Sequence, residues 1–448
     1  MRRAIAMLFP LVLLLSTDVW GETGPEVRLT LEASVARALD QHPSMNLARA
    51  QFDQAGASRR EAMAAWFPTL SASGSVMRYQ EPSLVAPLHG FSLTNVPRFD
   101  ETLLRGSLDL RWTIFDGGAR AGRVRQSRRL LDAASGSNDR ARQALMADVV
   151  AAYLRIIAER EILAAHDARI ASFESQVDQT RQRREVGRAA EVEVLRLDAA
   201  LASAKADQVN HQMALRTAEN DLARLIGSDT LLASAAGLVP VNLLVTPTPD
   251  REAVVSAMRQ SNPDLLVARS QMQAAEAARA VVRGSRWPEL KATASYLDYG
   301  DSEGEHTTEW NAGVMLSWPL FTGGAISGAV ARADAAARAA RESVQLKDIE
   351  VRAAADRALA AIDEADARVG ALQGAVASQS EVVRIERLSL DAGSGTQTDY
   401  LAAEAELLKA QAGLIEARHA AINARVALAR LIGTLDEEWI HSNLENRP

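Results

Sequence analysis

The chain contains no cysteine, which excludes a thiolate nucleophile, a Cys-ligated metal or iron–sulfur site, a disulfide framework and a lipidated N-terminal Cys. It has no excess of positive charge either. Lys and Arg number 50 against 57 Asp and Glu, a net charge of −7, so there is no basic footprint for nucleic acid. The 7 histidines are scattered without an HExxH or other close pair, so no zinc site, cofactor or enzyme is expected. Aromatic residues make up 4% of the chain while hydrophobic residues reach 48%. The apolar content is therefore small or aliphatic, which suits long helices packed closely through small side chains. No apolar run reaches the roughly 20 residues of a membrane-spanning helix.

The N-terminus reads as a secretory signal over residues 1–21. Met1-Arg2-Arg3 forms the charged start, Ala4 to Leu15 the apolar stretch and Val19-Trp20-Gly21 the small-residue cleavage site. The spacing predicts an exported protein whose membrane crossing uses something other than a hydrophobic helix.

Two halves of the chain repeat one another. Gln41-His42-Pro43 to Leu70 lies over Ser261-Asn262-Pro263 to Leu290 at a displacement of 220 residues. Trp112, Phe115, Gly117-Gly118, Gly187 and Gly227 lie over Trp318, Phe321, Gly323-Gly324, Gly393 and Gly433 at a displacement of 206. The displacement changes once, between about residues 77 and 103, where the first copy carries the longer loop. We read residues 22–227 and 250–433 as a tandem structural duplication, joined by a linker at 228–249 and followed by a tail at 434–448.

Each half holds two segments of period 2. Leu70, Ala72, Gly74 and Val76 alternate with Thr69, Ser71, Ser73 and Ser75, and Leu104 to Ile114 alternate with Arg105 to Thr113. The second half repeats this from Leu290 to Tyr296 and from Trp310 to Trp318. The pattern predicts hairpins over about 69–115 and 289–320, with strands of about ten residues. A soluble sheet packed on helices has the same alternation, but about 9–11 tilted residues also cross a bilayer. Trp66, Phe67, Trp112, Phe115, Trp287, Trp310, Trp318 and Phe321 near the strand ends suit a membrane interface.

The remainder reads as helix. From about Ala119 to Glu185 no proline interrupts, and Leu145, Val149, Ala152, Ile156, Leu163, Ile170, Phe173 and Val177 form a heptad seam. A shorter helix follows to Ile226, and another runs from about Asp250 to Arg286. One rod of about 100 Å is thus matched by two shorter helices end to end. Four strands cannot close a barrel, and open edges do not persist in hydrocarbon. Membrane-spanning strands of this number require oligomerisation, and three copies, giving twelve strands, are the fewest that leave a pore.

These residues resemble the TolC-like outer-membrane factor family of Gram-negative bacteria. The likeness rests on Leu29-Thr30-Leu31-Glu32 leading to His42-Pro43, on Phe67-Pro68-Thr69-Leu70, and on Phe115-Asp116-Gly117-Gly118 with Phe321-Thr322-Gly323-Gly324. The turns at Val186-Gly187 and Ala392-Gly393 complete it. The resemblance implies a mainly α fold with a transmembrane β-barrel: a long antiparallel coiled-coil α-barrel in the periplasm, and four strands per chain completed as a trimeric 12-stranded barrel. It implies a homotrimer in outer-membrane lipid and docking to a periplasmic adaptor (membrane fusion) protein. The inner-membrane pump would be of RND, ABC or MFS type, in tripartite efflux or type I secretion.

The resemblance also directs attention to the helical tips. Val186, Gly187 and Arg188, with Ala392, Gly393, Ser394, Gly395 and Thr396, are the candidate adaptor contacts. Asp399 aligns with the family's constricting acidic ring, where three carboxylates facing one axis attract cations. The residues that hold the family's gate closed are replaced here by Leu390 and Gly395, so Asp391, Gln397 and Glu193 are the candidate links. Read without the resemblance, the same helices and strands also suit a periplasmic coiled-coil scaffold or adhesin. Glu303, Glu305 and His306 suit either weak metal binding or a solvated charged loop.

Overall fold

The computed structural model describes residues 29–89, 96–227, 238–243 and 248–446. The expected signal segment and most of the expected linker lie outside them. The first half runs α1 (Leu31–Gln41), α2 (Pro43–Ala64), β1 (Thr69–Leu84), β2 (Phe99–Phe115), α3 (Ala119–Glu185) and α4 (Glu191–Ile226). A short β3 (Val241–Leu243) follows. The second half runs α5 (Arg251–Ser261), α6 (Pro263–Gly284), β4 (Glu289–Gly300), β5 (His306–Ser317), α7 (Ala325–Asp391) and α8 (Gln397–Ile432). The chain closes with α9 (Glu437–Asn443) and β6 (Leu444–Asn446). The fold is mainly α with a small sheet. Among the described residues no helix is long and apolar enough to cross a membrane.

The long helix stands where its seam requires. α3 has 67 residues, about 100 Å of rod, and it buries Leu145, Val149, Ile156, Ile170, Phe173 and Val177. α7 has the same 67 residues.

The helix expected from Asp250 to Arg286 is instead two, because Pro263 cannot supply an N–H to a continuing helix and pushes Asn262 out of the α region. His42-Pro43 breaks the first half in the same way. Both breaks are capped. Asn262 Oδ1 accepts from Leu265 N at 2.9 Å and His42 Nδ1 accepts from Ser44 N at 3.3 Å. An arginine then splints each kink, Arg49 donating to Leu39 O at 3.1 Å and Arg269 to Arg259 O at 2.7 Å.

The four long strands form one antiparallel sheet in the order β1-β2-β4-β5. β1 and β2 have 16 and 17 residues and β4 and β5 have 12 each, so the first hairpin exceeds the expected ten. Its extra pairs, beyond a register shift at Arg78, lie at the end away from the helices. Pairing keeps one face polar (Ser73, Ser107, Asp109, Ser295) and the other apolar (Leu70, Leu108, Leu110, Ala294, Leu316).

The largest core lies partway along the rods, where α1, α3, α4 and α8 meet β3, α9 and β6. Tyr153 anchors it, fully buried, with its hydroxyl 2.9 Å from Leu29 O and 2.8 Å from Val239 O. β3 and β6 pair antiparallel over 3 residues, a length too short to register as a sequence period.

Candidate functional site

Each helical hairpin closes on a left-handed glycine. At the first tip Gly187 has φ +73°, its N–H donates to Arg184 O at 2.9 Å, and Arg188 N donates to Arg183 O at 2.7 Å. At the second Gly393 has φ +75°, donating to Leu390 O at 3.1 Å, while Ser394 N donates to Ser389 O at 3.0 Å. Both are Schellman closures, which satisfy the last carbonyls of a helix and need a residue tolerant of positive φ. Gly395 is constrained differently, since a Cβ there would come within 2.9 Å of Ser389 Cβ. The tips expose Val186, Gly187, Arg188, Ala392, Gly393, Ser394 and Thr396.

Asp399 lies exposed in the first turn of α8. Its N–H donates to Thr396 Oγ1 at 3.2 Å, and the Thr396 hydroxyl donates back to its carboxylate at 2.6 Å, so Thr396 caps α8 and Asp399 sits two residues into its first turn. At the matching position of α4 the Glu193 carboxylate accepts from the backbone N–H of Ala190 at 3.4 Å. Gln397 is buried with no hydrogen-bond partner for Oε1. Of the three candidate links only Asp391 reaches the other hairpin, facing Arg183 at 3.8 Å.

Two further polar links join the hairpins near the tips, and neither involves residues expected from the sequence. Arg196 donates to Thr398 Oγ1 at 3.1 Å and Gln176 to the Tyr400 hydroxyl at 3.1 Å; Tyr400 donates to Glu404 at 2.5 Å. Burial and the Glu404 carboxylate push the Tyr400 hydroxyl up to about 12, so it is a permanent donor. A tyrosine one residue beyond Asp399, in a chain poor in aromatics, was the available signal.

Seven of the eight aromatics expected at a membrane interface gather at the helix-side end of the sheet. Trp66 and Phe67 precede β1, Trp112 and Phe115 end β2, Trp287 precedes β4, and Trp318 and Phe321 follow β5; all are exposed. Trp310 stands alone toward the far end, opposite Tyr296. Two indoles are tied alike, Trp112 Nε1 donating to Trp66 O at 3.1 Å and Trp318 Nε1 to Arg286 O at 3.2 Å. At the far end Arg98 Nη1 pairs with Asp301 at 2.7 Å and with Glu305 at 3.0 Å, and Asp298 lies 3.0 Å from His306 Nδ1. Glu305 and His306 thus serve loop closure, and among the described residues no group of three or more acidic or histidine side chains is arranged to hold a metal.

A four-stranded sheet mounted on long paired helices is also the fold of solved outer-membrane channels. The outer membrane efflux protein family model matches residues 35–228 and 254–434. The chain belongs to that family, whose members are channels rather than enzymes, and membership places it in the Gram-negative outer membrane. It is 29% identical to the outer membrane efflux protein BepC of Brucella suis over 58% of this chain and 56% of that one. It is 26% identical to the outer membrane protein TolC of Vibrio cholerae over 66% and 69%. The match thus spans little more than half of the Brucella protein. The solved CmeC outer membrane channel of Campylobacter jejuni superposes with a TM-score of 0.77 at 18% identity, covering 97% of each chain.

Proposed function

We propose that three copies of this chain form a continuous exit duct, a 12-stranded barrel in the outer membrane continued by an α-barrel across the periplasm. The observation that carries this reading is the four-stranded sheet with one apolar face, one polar face and two unpaired edges, mounted on rods of 67 residues. An open sheet cannot rest in hydrocarbon, and four strands from each of three copies enclose an aqueous lumen. The aromatic placement supports the same reading. Trp310 and Trp318 are eight positions apart on β5 and its extension, about 27 Å along the strand. At a barrel tilt of about 40° that is about 20 Å of thickness, near the ~25 Å apolar band of such barrels.

In this reading the sheet's polar face lines the pore and Leu70, Leu108, Leu110 and Leu316 meet lipid. The tips form the gate. Asp399 from each copy faces the axis as a cation-attracting ring, and Asp391, with its Arg183 partner, helps hold the hairpins together. Val186, Gly187, Arg188 and residues Ala392 to Thr396 receive a periplasmic adaptor, which couples the duct to an inner-membrane pump in efflux or type I secretion. The two halves descend from a duplication, which the equal lengths of α3 and α7 and of α4 and α8 support.

The test is single-channel conductance of detergent-purified protein in a planar bilayer, with its oligomeric mass. The expected result is a trimer with low, cation-selective conductance whose selectivity falls in Asp399→Ala. A soluble monomer that never inserts would instead favour the coiled-coil scaffold.

A further inference from the structure

The helices of the two tip hairpins hold three histidines, and all three stand at one level. His166 is the single histidine of α3, His211 of α4 and His419 of α8, and α7 has none. His166 and His211 face one another with ring centroids 5.0 Å apart, and His211 Nδ1 lies 2.9 Å from Glu159 Oε2. Across the α3–α8 contact, His419 Nε2 lies 3.9 Å from Glu161.

This layer interrupts the apolar seam of α3. The mid-rod core ends on α3 at Ile157, and a second, smaller core resumes at Ile170 and Phe173 with Ala204 of α4. Between them Glu159 and His166 occupy seam positions. His166 is 4% exposed, and its Nδ1 has no hydrogen-bond partner.

The fold does not require such a layer. At the displacement of 206 the second half has Ala365, Leu372 and Ala417 in place of Glu159, His166 and His211. Leu372 packs on Gly413, the counterpart of Asp207, so the equivalent helix contact closes there with apolar groups. An imidazole buried without a partner costs stability that leucine does not, which gives the first half a reason to differ only if the ring is used.

Charged groups act on His166 from the helices around it. Asp167 and Arg169 stand on α3 itself, and Asp207 and His211 on α4. On α8, Glu404 acts on Arg169 and Arg418 flanks His419. Among the described residues no carboxylate pairs with His166 directly. Burial, and then His211, hold its pKa below the ordinary value, since a proton there would be a dehydrated charge beside a second ring and a guanidinium.

We infer that this layer is a proton-operated joint: in acid His166 is protonated as α3 parts from α4 and α8, and the lower hairpins are freed. The consequence for the tips rests on the duct reading. Glu185, at the end of α3, lies about 28 Å along the helix from His166, so loosening at the layer swings the whole tip. The parted state binds one more proton per copy than the packed one. Lowering the pH therefore shifts the balance towards it, by up to about tenfold at pH 5.5 for a ring whose free pKa is near 6.5.

The test pairs amide hydrogen exchange of the detergent-purified protein with single-channel recording, each at pH 7.5 and 5.5. Exchange over residues 159–173 is expressed as protection against the intrinsic rate at each pH, with residues 145–157 as the internal reference. Protection of 159–173 should fall several-fold more than that of the reference at pH 5.5, and channel openings should become more frequent by a similar factor. The triple variant Glu159→Ala, His166→Leu, His211→Ala copies the layer of the chain's own second half and should lose most of both responses. His166→Leu alone, which keeps the His211–Glu159 contact, should do the same and serves if the triple variant does not fold. A parent whose protection does not change, or variants that respond as the parent does, overturn the joint. Loss of protection with unchanged openings, in a protein that conducts, overturns its link to the tips. A protein that never conducts removes the duct reading, and exchange still decides whether the layer parts in acid.

Discussion

Arg183 at the end of α3 and Asp391 at the end of α7 face one another across the two hairpin tips at 3.8 Å, each about half exposed. Such a pair contributes about 0–1 kcal/mol. Arg183→Ala alone should therefore change the open population less than about 5-fold. Adding Arg196→Ala and Tyr400→Phe removes the bonds to Thr398 and from Gln176 as well, and residues acting on one element couple rather than add independently. The triple variant should show larger or more frequent channel openings in a planar bilayer than any single variant. Conductance equal to that of the parent would show that these links do not hold the tips.

A second prediction concerns the junction of β2 with α3. Arg120 is 4% exposed, stacks on the Trp66 ring at 4.5 Å, and donates to the carbonyls of Ile114 at 2.8 Å and Thr113 at 2.5 Å. The second half has Ile326 at the equivalent place, so this clamp exists on one side only. Arg120→Ala strands those carbonyls, while Asp116 keeps Arg123 at 3.4 Å and the backbone N–H of residue 120, so the loss is on the order of 1–3 kcal/mol per copy. Lysine cannot reproduce the planar fork over the ring, so Arg120→Lys should recover only part of the fall in thermal midpoint. Full recovery with lysine would show that charge alone matters.

Tyr153→Phe tests the mid-rod core. The hydroxyl also accepts from Val239 N at 3.0 Å, and burial raises its ionisation far above the working range, so it is always protonated. Its removal leaves buried backbone groups unpaired and should destabilise by about 1–3 kcal/mol. The shape of the core is unchanged, so the thermal midpoint should fall without a change in helical content.

These sites differ in how far the sequence disclosed them. The bounds of α3, α4 and the tips follow from a proline-free heptad run ended by glycine, and the hairpins from period-2 alternation, because both signals are local. The breaks at Asn262 and His42 were equally local in Pro263 and Pro43, but a continuous apolar pattern across them masked the stop. Partners such as Arg183 with Asp391, or Gln176 with Tyr400, join positions over two hundred residues apart. No period encodes which exposed polar residue of one helix meets which of another. The pairing emerges only when the seam residues Ile170 and Phe173 have fixed how α3 lies on its neighbours.

His419 supplies the last prediction. It lies on α8 facing α3, buried, with Nδ1 unpartnered; Glu161 Oε2 is 3.9 Å from Nε2. Burial, with a smaller contribution from Arg418, lowers its pKa from 6.5 to about 4. The folded protein therefore binds fewer protons at this ring than the unfolded chain does between these values. Stability is undiminished above pH 6.5, falls as pH drops through that window, and is lower by about 3 kcal/mol per copy once pH reaches 4. His166, lowered by burial and by its neighbour His211, adds to the same trend. His419→Gln should flatten the dependence of thermal midpoint on pH between 6.5 and 4.5, and adding His166→Gln should flatten it further. A slope unchanged in both variants would show that these two rings do not set the acid sensitivity in this window; carboxylate pairs such as Arg259–Asp348 act only at lower pH, because the arginine holds the carboxyl below its usual range.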